Sequence, residues 1–169
     1  MAWPSILGRM LDRPVINLGF SSSGDMAPPV GDVLAELVDP AAYLIDCTWN
    51  MGTGKEMFLD HVGKLVASIR KAHPDTPILF MGQSHIRPAA HPTDISRDQA
   101  SAVERVQSDG VRHVTLLPAT DFVGADGEAT VDGVHLNDLG MQRQAQALVD
   151  VLRKATATPT DPPASTPAK

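Results

Sequence analysis

The chain holds a single cysteine, Cys47, so no internal disulfide can form and the composition suits a reducing compartment. No uninterrupted apolar run approaches the ~20 residues of a membrane span. Positive charge is in deficit, with 14 Lys and Arg against 20 Asp and Glu and a net charge of -6. A nucleic-acid binder calls for a basic patch, so that class is excluded. A basic segment followed by an apolar run, as in a signal peptide, is also missing. Met1-Ala2-Trp3-Pro4 leads straight into a helical pattern, and the expectation is a cytoplasmic protein. No His, Asp and Glu cluster has zinc spacing, so no metal is expected.

What is present reads as one globular domain. Apolar residues make up 43% and charged residues 20% of 169 positions, enough chain for a sizeable core. Residues 155–169 are nearly all Ala, Thr, Pro and Ser and read as a disordered tail, which puts the domain at 1–154. Short apolar runs at 14–19 (PVINLG), 42–47 (AYLIDC), 77–82 (PILFMG) and 113–117 (HVTLL) predict buried strands. Helical stripes lie between them. Val33, Leu34, Leu37 and Val38 mark one, and Phe58, Val62, Leu65, Val66 and Ile69 a second that stops near His73-Pro74. A third runs over about Asp94–Ser108. The last spans about 137–154, with Asn137 or Asp138 as cap.

Strand and helix alternate, which predicts an α/β domain with a mainly parallel sheet and helices on both faces. Ligands bind such sheets outside the carboxyl ends of the strands. The residues after each run therefore carry the interest. One feature is out of place: Trp3–Leu11 predicts a helix that leads into the first strand, as a crossover does, yet no strand comes before it.

The segment Ala129-Thr130-Val131-Asp132-Gly133-Val134-His135-Leu136-Asn137-Asp138-Leu139-Gly140 is the most informative. It places an acid and a histidine three residues apart on one turn before a helix. A carboxylate so placed can fix the imidazole tautomer of a general base. The plain alternative is a capping Asp beside an exposed loop His. Asn50 follows a strand and could equally be a turn Asn bonding local backbone. Gly19-Phe20-Ser21 has the outline of a nucleophile turn. Residues 19–24 could also cradle a phosphate in a flavin- or nucleotide-binding module, although the G-x-G-x-x-G spacing is missing. Residues 51–56 fail as a P-loop, because Glu56 replaces the magnesium-binding hydroxyl. His85 and His91 read as solvated loop residues, Cys47 as a small core residue, and Trp49 as a core residue or a cover beside Asn50.

Three segments together carry a resemblance. They are Val15-Ile16-Asn17-Leu18-Gly19-Phe20-Ser21, Leu44-Ile45-Asp46-Cys47-Thr48-Trp49-Asn50-Met51, and Asp132-Gly133-Val134-His135 with Asn137-Asp138-Leu139-Gly140. In this order they resemble the SGNH hydrolases, or GDSL-like lipase/acylhydrolases. The resemblance implies a three-layer α/β/α, flavodoxin-like sheet that hydrolyses a carboxylic ester. The ester would carry a small acyl group on a carbohydrate or another metabolite, and no cofactor would be used. It implies Asp132 as orienter, His135 as base, and Asn50 plus the backbone N–H of Ser22 as the oxyanion hole. Ser22 stands where the family has Gly. The family's first block, a strand ending in the nucleophilic Ser, has no counterpart here. Ser21 is then a substitute nucleophile at most, and an inactive or binding-only member is the alternative. A sheet without that strand has an open edge, through which self-association is expected.

Overall fold

The computed structural model describes residues 1–52, 54–83, 93–118 and 122–157. Five α-helices and three strands alternate along it: α1 (Trp3–Leu11), α2 (Pro28–Ala35), β1 (Tyr43–Ile45), α3 (Lys55–Ala72), β2 (Ile78–Met81), α4 (Asp94–Ser108), β3 (Val114–Leu117) and α5 (Asp138–Ala155), with a 3-10 turn at Thr48–Asn50. The strands form one parallel sheet in the order β1-β2-β3. Tyr43 registers with Ile78, and Ile78 with Val114.

Side chains along a strand point alternately to the two faces, so each strand serves both. Tyr43, Ile45, Ile78, Phe80 and Val114 pack with α2, α3 and α4 around Phe58, Leu65 and Ile69. Leu79 and Met81 pack on the other face with Ile6 and Leu7 of α1 and with Ala145 and Leu148 of α5. This is the expected doubly covered sheet.

Element ends follow local chemistry. Pro28-Pro29 open α2, since a missing N–H costs nothing in the first turn. Thr93 caps α4 by accepting from the Ser96 N–H. The stripe of α3 ends at His73, directly before Pro74. Beneath the carboxyl end of β2, Thr48 Oγ1 and Gln99 Nε2 both donate to the Met81 carbonyl, at 2.9 and 2.8 Å. Buried polar groups are thereby satisfied where the loops gather.

The strand expected at 14–19 does not form. Residues 12–18 have no ladder, and Val15 and Ile16 are 46% and 64% exposed. Strand composition gives only a tendency, and an extended segment becomes a strand when a neighbour supplies hydrogen bonds. Here a groove of about 680 Å³ separates this segment from β1. The sheet is therefore open on the β1 side. The expected tail falls mostly on residues 158–169, outside the described residues, while α5 runs through Ala155. Among the described residues no helix is long and apolar enough to cross a membrane.

Candidate active site

The Asp132–His135 turn is built by its own hydrogen bonds. Thr130 and Leu136 form an antiparallel bridge, and the Val131 N–H donates to the His135 carbonyl at 2.9 Å. Gly133, at φ 85, turns the chain between them in a conformation that a side chain would strain. Its N–H donates to Thr130 Oγ1 at 3.0 Å.

Inside this turn Asp132 is held on both oxygens. Oδ1 accepts the N–H groups of Val134 and His135 at 2.9 and 2.8 Å. Oδ2 lies 2.6 Å from His135 Nδ1. The backbone N–H of His135, then its ring, then the Val134 N–H hold the Asp132 carboxyl well below the usual carboxylate range. An ionised carboxylate only accepts, so Nδ1 carries a proton in this contact, and in the neutral imidazole the lone pair then lies on Nε2. Both side chains reach solvent, at 78% exposure for His135 and 50% for Asp132.

Asn137 anchors this turn to α5. Its Oδ1 accepts from the Gly140 N–H at 3.0 Å, and its Nδ2 donates to the Glu128 carbonyl. Gly140 is required by contact: a Cβ there would meet the Ala129 carbonyl oxygen. The Met1 ammonium pairs with Asp138 at the same helix start, 2.8 Å away.

The oxyanion candidates lie on two touching loops. Residues 20–23 form a tight turn in which the Ser23 N–H donates to the Phe20 carbonyl at 3.1 Å. Ser22 sits there at φ 59, the left-handed conformation that Gly adopts freely. Asn50 closes the 3-10 turn after β1, and a Cβ on Gly24 would lie 3.3 Å from Asn50 Oδ1 and 3.8 Å from Cys47 Sγ. Residues 19–24 and 47–50 are thus packed together. Ser21, Ser22, Ser23 and Asn50 are all exposed. Among the described residues no hydroxyl or thiol hydrogen-bonds the His135 ring, Ser21 included.

Trp49 is 42% exposed rather than part of the core. Cys47 is half-buried, and burial first, then the Asp46 carboxylate, pushes its thiol up to about 11. His85 and His91 lie outside the described residues.

Asp46 was not singled out from the sequence and matters in the fold. It follows β1, opens onto the groove, and accepts from Gln144 Nε2 at 3.3 Å. Solvent reaches it through the groove, yet protein surrounds it on most sides, and this desolvation raises its pKa despite the Gln144 bond. An acid ending an apolar strand was the available signal. The same bond ties α5, which follows the dyad, to the strand that precedes Asn50.

The profile of the GDSL-like lipase/acylhydrolase family matches residues 1–153. A solved GDSL-like lipase from Bacteroides ovatus is 29% identical, with a TM-score of 0.77 over 90% of this chain and 47% of its own. The salicylyl-acyltransferase SsfX3 from a tetracycline biosynthetic pathway shares the fold at 18% identity, with a TM-score of 0.71 over 86% of this chain and 46% of its own. The chain thus spans about half the length of these two structures. No curated protein matches.

Proposed function

We propose, for a chain that belongs to the GDSL-like lipase/acylhydrolase family, that the Asp132–His135 turn is the base half of an ester-cleaving acyl-transfer site. The observation that carries this is the 2.6 Å contact between Asp132 Oδ2 and His135 Nδ1. It selects the tautomer of neutral His135 with the lone pair on Nε2, by a carboxylate that two backbone N–H groups hold in place.

In this reading His135 Nε2 takes the proton from a serine hydroxyl as that oxygen attacks the ester carbonyl. Asp132 stabilises the imidazolium that results. The N–H of Ser22 and the amide of Asn50 receive the oxyanion. His135 then returns the proton to the departing alcohol, and water releases the acyl group by the same steps in reverse. The chain's own candidate hydroxyl is Ser21, beside Ser22. The substrate class in this reading is the one that the resemblance implies, a small acyl group on a carbohydrate or other metabolite. The family match supports hydrolase or acyl-transfer chemistry rather than a flavin- or nucleotide-binding module.

A second reading has one observation in its favour. No hydroxyl among the described residues hydrogen-bonds the His135 ring, as in a member that lacks its nucleophile and is inactive or binds without cleaving. The test is turnover of 4-nitrophenyl acetate with labelling by a fluorophosphonate probe. Labelling and turnover lost in both Ser21→Ala and His135→Ala support the catalytic reading. Turnover that His135→Ala leaves untouched overturns it. Absence of both in the unaltered chain supports the reading without a nucleophile.

A further inference from the structure

The turn at residues 20–23, which carries the Ser22 N–H, continues directly into Gly24-Asp25-Met26 and then α2. Each of those three positions is held by a different neighbour. Gly24 lies so close to Asn50 that a Cβ there would come within 3.3 Å of Asn50 Oδ1. The Asp25 carbonyl accepts from His61 Nδ1, on α3, at 2.7 Å. A carbonyl only accepts, so Nδ1 carries a proton in this contact. The Asp25 side chain turns the other way, and its Oδ1 accepts the Ala27 N–H at 3.1 Å. Met26 is buried at φ 57, with its N–H toward the Cys47 sulfur. A side chain stays in that left-handed conformation only where its surroundings over-determine it.

We propose that His61 is a positioning residue for the oxyanion candidates: by fixing the Asp25 carbonyl it sets where the 20–23 turn, and with it the Ser22 N–H, stands beside Asn50. The inference rests on the reading that Ser22 and Asn50 receive the oxyanion. Asn50 is fixed separately, from the sheet. Thr48 Oγ1 donates to the Met81 carbonyl and Met51 is buried, so the residues on either side of Trp49-Asn50 are anchored. The two donors therefore belong to different segments, and only contacts between segments set their separation. Gly24 against Asn50 is one such contact, and His61 holds the segment that makes it. An oxyanion needs its donors within about 2.7–3.1 Å, so a small retreat of residues 24–26 costs rate more than ground-state binding.

A plainer account is that His61 only helps to pack α2 on α3. That helix grips α2 at two further places. Ser68 Oγ donates to Asp32 Oδ1 at 2.7 Å, and His73 Nε2 donates to the Ala35 carbonyl at 3.1 Å. Those bonds fall on the body and the far end of α2. Of the three, the His61 bond alone falls between the turn and the helix. Ser68→Ala therefore separates the two accounts, since it loosens the helix pair and leaves the segment at 24–26 alone.

Three variants of the full chain test this. His61→Phe keeps a ring and removes the donor. His61→Asn restores a donor, because Nδ2 stands two bonds from Cβ as Nδ1 does. Ser68→Ala is the comparator. In amide NMR spectra His61→Phe should move the Ser22 and Ser23 signals and speed exchange of the Ala27 N–H about fivefold, the equivalent of one hydrogen bond. His61→Asn should return both toward the unaltered chain, and Ser68→Ala should leave both in place. If the unaltered chain turns over 4-nitrophenyl acetate, His61→Phe should lower kcat about tenfold or more with KM within about twofold, and His61→Asn should recover the rate. Should His61→Phe fail to fold, His61→Ala takes its place. Unmoved Ser22 and Ser23 signals in a folded donor-less variant overturn the proposal. So does an equal effect of Ser68→Ala, and so does a kcat that stays the same while the signals move. A chain without turnover removes the ester-cleaving reading instead, and the signals alone then decide whether His61 positions the turn.

Discussion

Gln144 Nε2 lies 3.3 Å from Asp46 Oδ2, across 98 positions of sequence. That contact joins the helix behind the Asp132–His135 turn to the strand end before Asn50, and so relates the base to the oxyanion candidates. Gln144 is 3% exposed, which leaves its amide few other partners. Replacing it removes the one interaction that lowers the Asp46 pKa against desolvation. Gln144→Leu should therefore shift Asp46 titration to higher pH, as followed by carboxyl carbon NMR. An unchanged midpoint would show that the bond has no electrostatic weight.

Asp132→Asn keeps the size of the side chain and reverses its logic. An amide can present its N–H to Nδ1, which would place the imidazole proton on Nε2 and block general-base action. If the unaltered chain turns over ester, this variant should lose about 10⁴-fold in kcat, with little change in fold by circular dichroism. A loss of less than tenfold would mean that tautomer control by Asp132 does not matter.

Ser22 occupies a left-handed conformation at φ 59. The left-handed region costs a side-chain-bearing residue roughly 1–2 kcal/mol, while Gly adds about 0.4–1 kcal/mol of unfolded-state entropy. Ser22→Gly should stabilise the fold by on the order of 0.5 kcal/mol in urea titration. It should leave the backbone N–H at that position available, so any esterase rate should be kept or raised.

Acid should weaken the loop before the dyad. Arg143 forks onto both Asp126 oxygens at 2.7 Å, and this bond, then the Glu128 N–H, holds the Asp126 carboxyl down at about 2. The unfolded value is about 3.9. The folded pKa is the lower one, so the contribution is complete above pH ~4 and is lost as pH falls from there toward 2. Between pH 5 and 2.5 the Tm of Asp126→Asn should fall less than that of the unaltered chain.

Cys47 should be inert at neutral pH. With its thiol raised to about 11, the thiolate fraction is small, so iodoacetamide should modify it far more slowly in the folded chain than in urea. Equal rates would show that the site opens freely.

Most helices were legible because their signals are local, but the stripe at Val33, Leu34, Leu37 and Val38 was not: α2 ends at Ala35, and Val33 and Val38 are exposed. Thr93 and Asn137 are caps, the α3 stripe repeats at helical spacing, and α4 keeps its expected bounds. The three observed strands fall inside their apolar runs and are shorter at the ends, where ladder partners stop. The run at 14–19 has the same composition and remains irregular, since its strand character depended on a neighbour that no local pattern supplies. Trp49 was assigned to core packing by default or to a cover near Asn50, and its exposure came from the 3-10 turn that follows β1.

The sequence by itself determined the Asp132–His135 pair, because three residues around Gly133 bring carboxylate, backbone N–H and imidazole together within one turn. It also determined that the sheet would be parallel and covered on both faces. Only the tertiary structure decided the rest: that Asp46 would meet Gln144, that residues 14–18 would stand apart from β1, and that a groove would lie between them. Those outcomes depend on the packing of α1 and α5 against one face of the sheet. Packing energies sum over contacts far apart in sequence, and no spacing within a short segment encodes them.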